Sequence, residues 1–174
     1  MAADMKKLIA EHFFALVRQR GIDRVTVTAL IEDCGISRQT FYYHFQDLMD
    51  VVEWTLDRKV EQMVERCLKA GSAKAALAEL IRSTAENRVL YRKLIDSQRR
   101  EQVERLLFRA MHVYLEEVLS RSPAHLRAKY RDAGLALDFL SFGLAGVLFE
   151  HCGDPNLDPE ELAEQLLRIL GEKD

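Results

Sequence analysis

Cysteine is scarce in this chain, and the three present, Cys34, Cys67 and Cys152, include no CxxC pair. An odd count without paired spacing excludes a disulfide scaffold and favours a reducing compartment, so a cytoplasmic location is expected. His12, His112, His125 and His151 show no HxxxH spacing, and neither they nor the cysteines give a metal-ligand pattern. No metal is therefore expected. A Gly-rich phosphate loop and a GxSxG elbow are both missing, and no nucleophile sits beside a recognisable base. The chain is expected to be no enzyme and to carry no cofactor. Residues 1–16 lack the uninterrupted apolar centre of a signal peptide, because Asp4, Lys6, Lys7, Glu11 and His12 break it. The longest apolar run, 135–149, contains Asp138 and falls short of the ~18 residues of a membrane span, so no membrane is expected among the partners. Internal repeats, low-complexity segments and strand hairpins are absent as well.

What is present is helical spacing almost throughout. With 174 residues, 48% hydrophobic and 30% charged, the chain can bury a real core as one domain or two small ones. Ile9, Phe13, Leu16 and Val17 recur at one face of a first helix from Met5 to Arg20, which Gly21 ends. Asp47 and Asp50 resemble a capping arrangement for a long helix running to about Ala70, closed by Gly71 and Ser72. Helices are then expected over 73–86, 88–96 and 98–121. Ser122 and Pro123 read as the start of another that runs to about His151, and Asp158, Pro159 and Glu161 as the start of the last.

The most informative stretch is TVTALIEDCGISRQTFYYHF, residues 26–45. Ala29, Leu30 and Cys34 share one face of a short helix, Gly35 suits a left-handed helix stop, and Ser37 can cap a second helix. Phe41 and Phe45, four apart, need burial. The other side, Arg38, Gln39, Thr40, Tyr42, Tyr43 and His44, is dense in hydrogen-bonding groups. That composition suits a helix laid in a DNA groove, with Arg38 able to pair bidentately with guanine and Gln39 with adenine. Charge gives no such signal. The net charge is −3, and residues 1–50 carry six Lys/Arg against seven Asp/Glu. Nonspecific DNA binding should be weak, with specific binding dependent on dimer geometry.

These residues resemble the DNA-binding domain of the TetR/AcrR family of transcriptional regulators. The resemblance rests on Gly21, Thr26, Val27, Leu30, Gly35, Ile36, Ser37, Thr40, Phe41, Tyr42, His44 and Phe45 and covers about the first quarter of the chain. It implies an all-α protein of about nine helices. A three-helix helix-turn-helix DNA-binding domain over 1–46 would be followed by a helical regulatory and dimerisation domain over 47–174. It also implies a near-palindromic double-stranded DNA operator bound by a homodimer, with Thr26, Val27, Thr28, Ser37, Arg38, Gln39, Thr40, Tyr42, Tyr43 and His44 at the interface. Tyr42 and His44 would hold phosphates, Thr40 would meet backbone or base, and Arg38, Gln39 and Tyr43 would read sequence. Packing of Tyr43 against the fourth helix is the competing role. Gln39 stands where relatives commonly have Gly, and Leu48 where they usually have a phosphate-gripping Lys. The run QTFYYHFQD followed by VVEW is similar to the branch that includes the activator of dihydroxyacetone kinase operons, some members of which work with a protein partner. Repression is the family's implied role, although no residue here separates it from activation.

The C-terminal half is read from periodicity. Trp54, Met63, Tyr91, Phe108, Met111, His112 and Tyr114 are candidate liners of a ligand pocket, for which plain core is the alternative. Phe139, Phe142, Gly143, Gly146 and Val147, with Leu162, Leu166, Ile169 and Leu170, are the candidate dimer interface. Completion of each monomer's own core is the alternative there. Asp138 and Ser141 are expected on the solvent side of their helix, with a buried polar pair as the alternative. A small-molecule effector or protein co-regulator is the expected partner of this half. The rival readings are a helical protein-interaction adaptor that does not read DNA, and a small-molecule binding protein.

Overall fold

The computed structural model describes residues 2–121, 133–151 and 153–170, and every regular element among them is helical. Nine α-helices are described, α1 (Ala2–Arg20), α2 (Val27–Cys34), α3 (Arg38–His44), α4 (Leu48–Lys69), α5 (Ala73–Glu86), α6 (Arg88–Ile95), α7 (Arg100–Arg121), α8 (Ala133–His151) and α9 (Pro159–Ile169), with a 3-10 turn at Ile22–Arg24. The expected helix start at Ser122 and Pro123 lies outside the described residues, as do His125 and Cys152.

The helix ends follow their capping chemistry. Asp47 accepts hydrogen bonds from the backbone N–H groups of Met49 (2.7 Å) and Asp50 (2.9 Å), while Asp50 accepts from Gln46 N–H at 2.9 Å. This reciprocal box satisfies donors that the first turn of α4 would otherwise leave open. Ser72 accepts from Ala75 N–H at 3.1 Å to start α5, and Asp158 accepts from Glu160 and Glu161 N–H to start α9.

The chain forms two compact units, Met1–Arg58 with Val89–Leu106, and Lys59–Arg88 with Leu107–Asp174. In the first, α1 packs against α2 and α3. Its apolar spacing puts Ile9, Phe13 and Val17 out of solvent, and Ile22, Leu30, Phe41, Phe45, Val51, Val52 and Val103 are buried in the same unit. In the second, α5 packs on α9. Its core is a cluster that includes Met63, Val64, Ile81, Met111, Tyr114, Leu144, Leu148 and Leu166. Two ion pairs, Lys74–Glu164 at 2.7 Å and Arg82–Glu160, join α5 to α9 at their rim.

Helix α8 departs from its sequence reading in two respects. Its window Gly134–His151 is long and apolar enough to cross a membrane by length and composition alone, and 28% of that window is buried. The apolar run counted from sequence was shorter because it stopped at Phe149. Ser141, expected toward solvent, is buried. Its hydroxyl donates to the Leu137 carbonyl one turn earlier at 2.6 Å, and that bond lets a serine occupy a core position. Asp138 does face solvent, with its carboxylate 3.4 Å from His112 Nδ1.

Candidate nucleic-acid interface

Two short helices and the turn between them set the geometry of residues 26–45. Thr26 caps α2 by accepting from Ala29 N–H at 3.1 Å. At the other end Gly35 has φ +65°, its N–H donating to the Glu32 carbonyl (3.2 Å) while Ile36 N–H donates to that of Ile31 (3.0 Å). Both bonds belong to a left-handed helix stop that a side chain would strain. Ser37 then caps α3 by accepting from Thr40 N–H at 3.0 Å, and the Ser37 and Thr40 hydroxyls share a hydrogen bond of 2.8 Å. The turn is thus fixed from both sides by local bonds.

Helix α3 is held by its aromatic face. Phe41 and Phe45 are buried, with ring centroids 6.1 Å apart, and Phe45 meets Trp54 edge-on at 6.1 Å. Lys6 of α1 lies over the Phe45 ring at 5.0 Å. Burial of this face leaves the opposite one outward. Arg38, Gln39 and Tyr42 are exposed, Thr40 and His44 are half-buried, and Tyr43 is 81% exposed with its ring edge-on to His44 at 5.0 Å. Tyr43 therefore does little packing. On α2, Thr26 and Thr28 are exposed and Val27 is half-buried. Leu48, at the first position of α4, is buried, so that position offers hydrophobic anchoring to the unit.

Several contacts in this unit had no signal in the sequence. Arg38 Nη2 donates to Thr28 Oγ1 at 2.8 Å, linking α3 to α2. His12 Nδ1 lies 2.7 Å from Asp33 Oδ2, linking α1 to α2. Lys93 of α6 donates to the carbonyls of Arg18 (2.5 Å) and Gln19 (3.2 Å) at the end of α1, and Asp23 accepts from Gln98 N–H at 3.1 Å. Pairs separated by 75 residues leave no local pattern to read. Burial and the neighbouring Asp33 push the Cys34 thiol up to about 11, which favours the neutral thiol.

The residues read as pocket liners fall in both units. Trp54 and Tyr91 lie in the first unit, and Met63, Phe108, Met111, His112 and Tyr114 in the second. Met63, Met111 and Tyr114 are buried in the core, and Phe108 stacks on Phe142 (4.8 Å) and Phe149 (5.7 Å). Tyr114 is raised above the ordinary phenol range by burial and by its hydrogen bond with Cys67. A cleft of about 660 Å³ in the second unit is lined instead by ion-paired groups, among them Arg66, Lys74, Glu79, Arg82 and Glu160. Among the described residues, no three His, Cys, Asp or Glu side chains are grouped to hold a metal.

The candidate dimer residues fall into two sets. Phe139 (71%) and Ile169 (79%) are largely exposed, as are Phe142, Gly143 and Gly146, and Leu135 extends the α8 stripe. Leu166 is buried in its own core, and Val147, Leu162 and Leu170 are half-buried. The stripe 135, 139, 142, 146 follows helical spacing and lies on the side of α8 away from buried Leu137, Leu140, Leu144 and Leu148.

Comparison with known proteins gives two family matches. Residues 14–50 match the family described as bacterial regulatory proteins, tetR family, and residues 72–172 match a TetR-type family described as transcriptional regulator C-terminal region. A curated relative, the HTH-type dhaKLM operon transcriptional activator DhaS of Lactococcus lactis subsp. lactis (strain IL1403), is 25% identical over 89 residues. That alignment spans 51% of this chain and 48% of the relative, about half the length of each. Among solved structures, the dihydroxyacetone kinase operon activator DhaS superposes with a TM-score of 0.68 at 18% identity, over 95% of this chain and 93% of that one. NalD, the secondary repressor of the MexAB-OprM multidrug efflux pump in Pseudomonas aeruginosa, gives 0.54 at 18% identity, over 98% and 95%. At such identities the structural matches establish the fold.

Proposed function

The chain belongs to the tetR family of bacterial regulatory proteins, and from that premise we propose that it is a sequence-specific DNA-binding transcriptional regulator acting as a homodimer on a near-palindromic operator. The observation that carries the reading is the two-sidedness of α3. A helix of seven residues buries Phe41 and presents Arg38, Gln39, Tyr42 and Tyr43 outward. Two exposed tyrosines beside an arginine and a glutamine on so short an element suit a groove that offers base edges and phosphates. Arg38, Gln39 and Tyr43 read bases. Tyr42, His44 and the capping hydroxyls of Thr26 and Ser37 meet the phosphate backbone, Thr40 meets backbone or base, and Val27 and Thr28 lie beside them on α2.

Dimerisation supplies the second half-site contact. Regulators of this family bind DNA typically as dimers, and Leu135, Phe139 and Phe142 of α8, with Ile169 of α9, are exposed apolar side chains of the kind a two-fold interface buries. An effector or partner protein bound to the second unit regulates binding by favouring a dimer whose recognition helices are wrongly spaced. It lowers operator affinity by its differential affinity for the two arrangements. Helix α4, continuous from Leu48 to Lys69 and part of both units, is the element through which such a change passes.

Selection from a randomised duplex library tests the reading. The expected result is enrichment of a near-palindrome. Arg38→Ala should relax preference at one base pair per half-site, and Tyr42→Phe should weaken all sites alike. Failure to enrich any palindrome, alone or with cell extract, would overturn it in favour of the adaptor reading.

A further inference from the structure

The geometry points to Thr28 as the positioning residue of Arg38, setting which edge of the guanidinium is offered to a base rather than serving chiefly as a phosphate contact. The inference rests on the DNA-binding reading above and assigns the division of labour within that site. Arg38 opens α3 next to its cap Ser37. A cation there opposes the helix dipole, and no carboxylate pairs with it among the described residues, so neither helix stability nor an ion pair accounts for it. What holds it is the Thr28 hydroxyl, at 2.8 Å from Nη2, on the facing turn of α2.

The donor inventory makes the arrangement selective. A guanidinium carries five N–H donors. Whichever Nη2 hydrogen is given to Thr28, one complete two-donor edge remains, either Nη1 with Nη2 or Nε with Nη2. Bidentate pairing with the O6 and N7 acceptors of guanine needs one such edge. The Thr28 bond therefore leaves base-reading capacity intact while removing much of the rotational freedom of a long side chain. The gain appears as base preference, because ordering an exposed arginine otherwise opposes binding. Thr28 is itself fixed, at the second position of a helix capped by Thr26 through Ala29 N–H at 3.1 Å.

Thr28→Val keeps the shape and removes the hydroxyl, Thr28→Ser keeps the hydroxyl, and Thr28→Ala guards against failure of the valine variant to fold. Each is measured on the selected operator and on operators changed at single base pairs, in the native and Arg38→Ala backgrounds. The expected result is a loss of about 2- to 10-fold in preference at the base pair that depends on Arg38. Other positions should hold, serine should restore the preference, and nothing further should be lost once Arg38 is alanine. Uniform weakening at every base pair, or an equal loss in the Arg38→Ala background, overturns the inference and makes Thr28 a phosphate contact. No change in either variant also overturns it. An Arg38→Ala protein that discriminates bases as the native one does removes the reading beneath it, a result distinguishable because it appears before Thr28 is altered.

Discussion

Phe139→Ala tests the dimer on which operator binding is proposed to depend. Phe139 is 71% exposed within one chain. Full burial of a Phe side chain is worth about 1.5–3 kcal/mol, so covering the exposed fraction contributes about 1–2 kcal/mol per copy. A two-fold interface contains the residue twice, which doubles the effect to about 2–4 kcal/mol and raises the dimer dissociation constant about 30- to 1,000-fold. Sedimentation equilibrium across a concentration series reads this directly. Because Phe139 contributes little to its own chain's core, the variant should retain the native helical content and unfolding slope in urea at dilution. Operator affinity should fall at protein concentrations where the native protein is dimeric and the variant is not. An unchanged dissociation constant, or a native protein that stays monomeric at every concentration, would refute the assignment of α8 to the interface.

Three other perturbations probe the units separately. Gly35→Ala places a Cβ in open space, so its cost is the left-handed φ alone, about 1 kcal/mol in urea unfolding after allowance for the stiffer unfolded chain; a loss of about 3 kcal/mol or more would mean the turn is packed. Lys93→Met keeps the stem and removes the donor to the Arg18 and Gln19 carbonyls, and should destabilise by about 1 kcal/mol for a half-exposed charge-assisted pair. No shift in urea midpoint would show that contact to be incidental. Glu164 is held below the ordinary carboxylate value of 4.5 by its hydrogen bond and charge pairing with Lys74, and then by Arg168. A lowered folded pKa contributes stability that is present above 4.5 and lost as pH falls through the lowered value. Melting temperatures of native and Glu164→Gln proteins should therefore differ near neutrality and converge below pH 4.5, whereas a constant gap would sink the argument.

The readability of this chain follows the range of the interactions. Gly35, Ser37, Ser72, Asp47 and Asp158 act within a few residues of themselves, and the helices they bound sit within a few residues of where spacing placed them. Amphipathic α1 and α3 likewise declared their buried faces through Phe13 and Phe41. Periodicity fails on α8, where nearly every position is apolar and two opposite stripes both lack charge. Only the burial of Leu140 and Leu144 against the exposure of Phe139 separates them. Ser141 reads as polar until its bond to Leu137 is seen. The bonds of Arg38 to Thr28, Lys93 to Arg18 and Asp23 to Gln98 required the folded chain. The family resemblance put Arg38 and Thr28 alike at the DNA, without saying that one holds the other.

Charge then constrains how such a regulator would grip its operator. The first fifty residues carry a small acidic excess, and Leu48, buried at the head of α4, removes one customary cation per subunit. Each phosphate contact contributes about −0.9 to the slope of log affinity against log salt, so the proposed dimer should show a slope shallower by about two than a relative with lysine at both positions. Restoring the charge with Leu48→Lys does not simply add affinity. The side chain would have to leave a buried site, and losing a leucine from a packed core costs about 2–5 kcal/mol if the hole does not refill. Net operator binding by that variant should thus fall with stability before any phosphate contact can compensate. Affinity is obtained more readily through the second recognition helix. For that reason a substitution at Phe139 should weaken operator binding as much as one at Tyr42, although Tyr42 lies in the unit built around α3 and Phe139 in the other.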